Sequence, residues 1–422
     1  MLDIKFIREN FDLVKAAIKN RGIKLDLGGF TSLDRKRREI LLKLEELRRQ
    51  KNLANDEITA LLKAKKDPKK KIKEMKSIAE EIDELEKGEK EIDTELDKIL
   101  LNIPNIPHES IPVGDATANK IVRSWGKARE FDFKPKSHME ICEHLDIMDL
   151  PRAAKITGSN FVIFKGDGAK LQRALIDFML DLHTKKHGYR EIWAPALVNR
   201  QSMTGTGQLP KLEEDMYKLK DDDLFLIPTA EVPVTNIHRD DVLEEENLPV
   251  YYTAYTPCFR REAGSYGKDT KGLMRVHQFD KVEMVKFVKP ETSYDELEKL
   301  VANAEEVLQL LNLPYRVNML STGDLSFSAS KCYDLEAYAP GLDKWLEVSS
   351  CSNFCDFQAR RANIRYRTKD TKKLNYVHTL NGSGVALART VIAIIENYQD
   401  KDGTIQIPEV LRGYFDGKTR IG

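Results

Sequence analysis

Cysteine is scarce in this chain of 422 residues. Cys142, Cys258, Cys332, Cys351 and Cys355 form no C-x-x-C pair, which argues against a disulfide scaffold and a cysteine-rich zinc site. Cys351 and Cys355 read as two buried thiols. Net charge is also missing: 68 basic residues balance 68 acidic ones, so any hold on nucleic acid must come from local patches. No uncharged apolar run is long enough to cross a bilayer. The N-terminal MLDIKFIREN carries Asp3, Lys5, Arg8 and Glu9 where a secretory signal has an apolar core, and a cytoplasmic location is expected. Neither G-x-x-x-x-G-K-[ST] nor a strand-linked G-x-G-x-x-G occurs, so P-loop and Rossmann nucleotide sites are excluded. What is present is 41% apolar residues, enough for a sizeable core, and length for two or three domains.

Between Leu33 and Leu100, Pro68 and Gly88 are the only proline and glycine. Apolar residues recur at spacings of three and four, as at the a and d positions of a coiled coil. One run is Leu33, Ile40, Leu44, Leu47, Ala54, Ile58 and Leu61; the other is Met75, Ile78, Ile82, Leu85, Ile92, Leu96 and Ile99. Folded on each other, they pair Leu44 with Leu96, Ile58 with Ile82 and Lys51 with Glu89, and also Ile40 with Ile99, Leu47 with Ile92 and Leu61 with Ile78. Each pair of residue numbers sums to 139 or 140. This antiparallel hairpin has its tip near residue 70, beside the helix-breaking Pro68, and its register is expected to rest on a Lys51–Glu89 pair. Helices of about 30 residues make an arm of about 45 Å. From Lys63 to Lys76 eight lysines stand against Asp67 and Glu74. They read either as a solvated tip or as a phosphate-contacting surface. The arm alone also fits a scaffold or tether. The expected division is residues 1–105 for an N-terminal domain with the coiled coil at about 30–100, 106–126 for a linker rich in proline and glycine, and 127–422 for a globular domain.

In the globular part, a helix-like segment from Ala169 to Lys186 precedes a strand-like EIWAPALV, whose Pro195 points to a sheet edge or bulge. The stretch from Tyr251 to Val288 reads as strand, charged loop and strand, with Arg260, Arg261 and Arg275 at the root of the loop. On the second strand Phe279, Lys281 and Glu283 share one face by period-two alternation. An aromatic ring, a carboxylate and paired guanidinium groups suit a nucleotide triphosphate. Further on, NGSGVALARTVIAIIENYQ reads as a glycine-rich turn feeding an apolar helix, in which Arg389 is the odd member.

These segments together resemble the bacterial-type seryl-tRNA synthetases, a family of class II aminoacyl-tRNA synthetases. The segment with Pro195 resembles motif 1, PCFRREAGSYGKDTKGLMRVHQFDKVEM motif 2, and NGSGVALARTVIAIIENYQ motif 3. PTAEVP at Pro228–Pro233, LEVSSCSNF at Leu346–Phe354 and FQARR at Phe357–Arg361 resemble segments special to the serine enzymes. One departure is Ala388 before Arg389, where class II enzymes often have glycine; it bears on backbone packing alone.

The resemblance implies an α+β fold, with an antiparallel sheet flanked by helices behind an N-terminal helical-hairpin arm, and a homodimer built partly on motif 1. It implies that serine and ATP form seryl-adenylate and pyrophosphate, and that serine then passes to the 3′ end of tRNA(Ser); tRNA(Sec) is a second acceptor it leaves open. Arg260 and Arg389 become the candidate catalytic residues. ATP contacts are implied for Arg260, Arg261, Glu262, Arg275, Phe279, Glu347, Val348, Ser349, Ser350 and Arg389. Glu262 would read the adenine amino group, and Phe279 with Arg389 would sandwich the ring. Glu347 and Ser350 resemble a Mg²⁺ position, although strict alternation pairs Glu347 with Ser349 and a bulge is needed to bring Ser350 in. Serine contacts are implied for Thr229, Ala230 and Glu231, with Thr229 and Glu231 expected on one strand face, and for Glu283 and Ser383 at the hydroxyl. The lysine tip becomes a tRNA contact through Lys69, Lys70 and Lys71, and loop residues 265–271 are expected near the acceptor end. A class II relative that loads a carrier protein would not need the basic arm. A degenerate scaffold would not need Arg260, Glu262, Glu283 and Arg389 together.

Overall fold

The computed structural model describes residues 1–263 and 272–422, so the expected contacts at 265–271 lie outside the described residues. The chain forms two compact units, Leu2–Lys19 with Ile23–Pro104, and Asn105–Gly422 with Met1 and Asn20–Gly22. In the first unit two short helices, α1 (Ile4–Glu9) and α2 (Phe11–Asn20), precede the long α3 (Gly28–Lys63) and α4 (Lys69–Leu100). The Asp3 carboxylate caps α1 by accepting from the Phe6 N–H at 3.0 Å. Arg8 grips the buried Asp34 of α3 with two parallel hydrogen bonds of 2.7 and 2.8 Å. That pairing holds the Asp34 carboxyl below the usual carboxylate range.

The hairpin exists, but in another register. Arg37 Nε lies 2.6 Å from Asp93 Oδ1, Arg48 Nη2 lies 2.8 Å from Glu86 Oε1, and Lys71 Nζ lies 2.8 Å from Glu57 Oε2. A Cβ on Gly88 would stand 3.7 Å from Ile40 Cδ1. Leu44, Leu47 and Ile82 form the buried seam, with Ile40, Ile78 and Leu85 against it. Facing residue numbers therefore sum to about 130, and each expected partner is displaced by about ten residues, or about 15 Å. Lys51 and Glu89 do not pair, and neither makes an ion pair among the described residues. The cause lies in the heptad itself: sliding one strand by three half-heptads lays apolar on apolar again. The turn decides between registers. It occupies residues 64–68, with Pro68 as the N-cap of α4.

The second unit is built on an eight-stranded sheet. In chain order its strands are β1 (Lys120–Trp125), β2 (Arg190–Glu191), β3 (Val250–Phe259), β4 (Gln278–Val288), β5 (Tyr315–Met319), β6 (Lys331–Ala339), β7 (Lys344–Asn353) and β8 (His378–Ala386). Their spatial order is β1-β5-β6-β7-β8-β4-β3-β2, antiparallel throughout except for the short β2, which runs parallel to β3. Three helices, α5 (Asp167–Lys185), α6 (Ser293–Leu310) and α7 (Leu387–Asn397), bury their apolar stripes in one large core with residues of β4, β6, β7 and β8. On β4 this face carries Val282, Met284 and Val288. The opposite face turns apolar at Val285 and Phe287, under a second cluster with Ala254 and Ala359, and stays polar at Lys281 and Glu283.

Residues 106–126 contribute the edge strand β1, all of whose residues are exposed, so no alternation marked it. One expectation fails here. The expected glycine-rich turn of NGSG lies inside β8, paired to β4. Its glycines serve close approach instead: a Cβ on Gly382 would meet Cys351 Sγ at 2.6 Å and Leu300 Cγ at 3.2 Å. Gly382→Ala is accordingly expected to destabilise the unit by about 1–3 kcal/mol through overpacking, read as a lower thermal midpoint in circular dichroism. A midpoint equal to the parent's would show that this contact yields freely.

Candidate active site

The polar stretch of β4 opens into a cleft of about 610 Å³ between the sheet and the loops above it. Phe279, Lys281 and Glu283 line its floor, as the alternation predicts. Three cations from separate segments reach the same cleft: Arg260 just after β3, Arg275 just before β4, and Arg389 on α7. Arg260 lies over the Phe279 ring at 5.2 Å, and its Nε donates to the Pro228 carbonyl at 3.3 Å. Arg275 Nη1 donates to Glu262 Oε2 at 2.8 Å. Arg389 Nη1 donates to the Glu347 carbonyl at 2.9 Å and lies 3.2 Å from its carboxylate. All three guanidinium groups are thus held by carbonyls, carboxylates or a ring, with planar donor edges available to an anionic ligand.

The run Glu347, Val348, Ser349 and Ser350 lines the cleft as well. Here the required bulge is present. On β7, Ser349 faces Leu335 and Glu347 faces Glu336, so Val348 is the extra residue and the alternation resets across it. Glu347 and Ser350 thereby come to the same side. Ser349 Oγ turns instead to the Ser383 carbonyl, donating at 2.6 Å.

At the other end, Glu283 is 1% exposed and fully engaged. Its Oε2 accepts from Thr229 Oγ1 at 3.0 Å and forms an ion pair with Lys281 Nζ, and its Oε1 accepts from Asn381 Nδ2 at 2.9 Å. Ser383 lies opposite Glu283 across the β8–β4 ladder. Glu231 is buried beside this group, and Gln358 Nε2 donates to its Oε1 at 2.6 Å. Burial, and then the neighbouring Glu283, push the Glu231 carboxyl up to about 7.

Thr229 and Glu231 do not share a strand. Glu231 opens a short helix, Glu231–Thr235, whose Pro233 fits a first turn because the N–H it lacks would be unpaired there anyway. The turn brings both side chains into the cleft, and the Glu231 N–H donates to Thr229 Oγ1 at 3.2 Å. Two expected residues stay out. Ala230 is fully buried in the apolar cluster with Val234 and Ala254, and Arg261 is exposed and does not line the cleft. Its N–H donates to the Asp215 carbonyl at 2.9 Å, and the Ala263 N–H donates to Asp215 Oδ1 at 2.9 Å, so Asp215 anchors this side of the loop.

Sequence reasoning gave no role to Lys281, Asn381, Gln358 or Asp334. Period two carried the signal for Asn381, two residues before Ser383 on β8. Asp334 is paired with Ser350 across β6 and β7, and burial followed by Glu347 holds its carboxyl well above the usual range.

Residues 216–398 match the family model of the tRNA synthetase class II core domain (G, H, P, S and T), and residues 1–107 match that of the seryl-tRNA synthetase N-terminal domain. A serine–tRNA ligase of Desulforapulum autotrophicum is 56% identical over 422 residues, covering 100% of this chain and 99% of its own. One from Caldanaerobacter subterraneus is 57% identical over 416 residues, covering 98% of each. The seryl-tRNA synthetase of Pyrococcus horikoshii, solved in complex with ATP, is similar with a TM-score of 0.91 at 40% identity, covering 100% of this chain and 99% of that one. With both family models matched and relatives aligned over the full length, the chain belongs to the seryl-tRNA synthetase family of class II aminoacyl-tRNA synthetases.

Proposed function

We propose that the cleft joins L-serine to ATP and that the chain then transfers serine to tRNA(Ser). A serine carboxylate oxygen attacks the α-phosphorus, the bond to the bridging oxygen breaks, and pyrophosphate leaves. Negative charge moves onto phosphate oxygens, and Arg260, Arg275 and Arg389 are the groups placed to receive it. Because the arginines are already held, little reorganisation accompanies the reaction. In this reading Arg260 holds the α-phosphate, Arg275 and Arg389 the γ-phosphate, and Phe279 and Arg389 flank the adenine. Glu262 takes the adenine amino group, alongside the backbone of Val348. Glu231 receives the serine ammonium, with Thr229 beside it bracing Glu283, and Glu283 and Ser383 receive its hydroxyl. The oxygen-only pair of Glu347 and Ser350, which the Val348 bulge brings to one side, suits a hard cation such as Mg²⁺. That ion would neutralise phosphate charge when bound.

The carrying observation is the meeting of three arginines with the Glu283–Thr229–Glu231 group in one cleft. The test is serine-dependent exchange of pyrophosphate into ATP with each of the twenty amino acids in turn. Exchange with serine well above every other amino acid is expected, and equal exchange with alanine or threonine would refute the assignment. Lys69, Lys70 and Lys71 are proposed to meet tRNA phosphates at the variable stem. Lys69 and Lys70 stand exposed on the first turn of α4, which has no acidic residue, so cations gather at the positive end of the helix dipole. tRNA(Sec) is the second acceptor this reading admits. The chain is proposed to act in the cytoplasm as a homodimer through the motif 1 segment, where Trp193 is 83% exposed beside the edge strand β2.

A further inference from the structure

The amino-acid end of the cleft holds two buried carboxylates, Glu231 and Glu283, while the proposed substrate brings one ammonium. A second cation is already built in. Lys281 is 6% exposed, and its ammonium turns inward to the Glu283 carboxylate and donates to Thr229 Oγ1 at 2.8 Å. A lysine at a cleft wall can extend its head to water at little cost. This one is desolvated, which is tolerable because of its pairing and points to a task an apolar residue could not perform.

We propose that Lys281 is a positioning residue for serine: it supplies a built-in positive charge against the Glu231 and Glu283 carboxylates, and it locks the Thr229 hydroxyl toward Glu283. The proposal rests on the reading of this cleft as a serine-activating site. The Thr229 hydroxyl accepts from Lys281 Nζ and from the Glu231 N–H, so its own proton is left to point at Glu283 Oε2. With Lys281 in place, the two carboxylates, Lys281 and the incoming ammonium sum to zero charge. Without it, the two buried carboxylates would face each other with no built-in cation beside them, which favours the protonated form of Glu231.

The groups that act on Glu231 come from every side. Glu283 and Lys281 reach it from β4, Arg260 from the end of β3, and Gln358 from the helix Phe357–Ala362. Burial and Glu283 favour its protonated form, while Gln358, Lys281 and Arg260 oppose that. Neutralising Lys281 therefore raises the pH at which Glu231 ionises and becomes able to hold an ammonium.

The test is pyrophosphate exchange by the full-length Lys281→Met, Lys281→Gln and Lys281→Arg variants, with KM for serine and for ATP measured from about pH 6 to about pH 9. Near pH 7 the Met and Gln variants are expected to raise serine KM about tenfold or more, with ATP KM within about twofold of wild type. The deficit should shrink as pH rises. Arginine, which keeps the charge, should restore most of the serine KM and the parent pH profile. Should the Met variant fail to fold, the Gln variant carries the same expectation. Serine and ATP KM rising together, a pH-independent loss, or an Arg variant as impaired as Gln would overturn the proposal. Wild-type chain that shows no serine-dependent exchange would instead sink the reading of the cleft itself.

Discussion

Glu283→Ala is expected to lower kcat/KM for serine in pyrophosphate exchange by about 10³-fold or more, while KM for ATP changes by less than about threefold. The expectation comes from the bonds Glu283 makes. Three donors, Thr229 Oγ1, Lys281 Nζ and Asn381 Nδ2, converge on its carboxylate, so it is fixed in place before substrate arrives. A serine hydroxyl replaces part of that solvation. Alanine or glycine in the same place would leave the carboxylate desolvated without a new partner, and sites of this kind reject such analogues by about 10⁴-fold or more. Removing Glu283 erases that selectivity and also strands Lys281, so some loss of stability is expected alongside. Glu283→Gln separates the two effects. It keeps the shape and an acceptor for Asn381, but loses the charge that pairs Lys281. Equal losses for serine and ATP in both variants would show that Glu283 merely supports the sheet.

What the residues alone revealed follows the physics of each element. The face of β4 was legible because alternation is rigid: Phe279, Lys281 and Glu283 must project together once the segment is a strand. Arg389 was legible as a charge in the first turn of a largely apolar helix. The bulge at Val348 was not, because an inserted residue carries no compositional mark; the need for it emerged only from Glu347 and Ser350 being three apart. The coil register was hidden by the repeat itself, since the seam is nearly self-similar under half-heptad shifts and the short turn at Pro68 decides. Thr229 and Glu231 misled because a Thr-x-Glu spacing fits a strand face as well as a turn entering a helix. The role of Lys281 was hidden for another reason: lysine is ordinarily solvated, and its burial depends on Glu283 and Thr229 arriving from separate segments.

Cutting the arm is the other change with a large expected effect. The observed register says where to cut. Deleting residues 38–92 and closing the gap with a short glycine–serine link leaves Arg37 and Asp93, which already meet at 2.6 Å, at the base of a shortened hairpin. A cut planned on the expected register would have joined residues about 15 Å out of step. The shortened chain keeps every cleft residue, so serine-dependent exchange is expected within about twofold of the parent. Aminoacylation of intact tRNA(Ser) should fall by about 10³-fold or more, because contacts on a distant stem supply binding and orientation that the acceptor end cannot. The tip can be resolved further. Lys71 is engaged by Glu57 at 2.8 Å and Glu74 at 3.0 Å, whereas Lys69 and Lys70 make no ion pair among the described residues. Lys69→Ala with Lys70→Ala should therefore weaken tRNA binding and flatten its dependence on salt by about 0.7–0.9 in log–log slope per lysine, and Lys71→Ala should act chiefly on the stability of the arm. Full charging by the deletion variant, or a salt slope unmoved by losing Lys69 and Lys70, would take the arm out of tRNA recognition and return its lysines to the role of a solvated helix end.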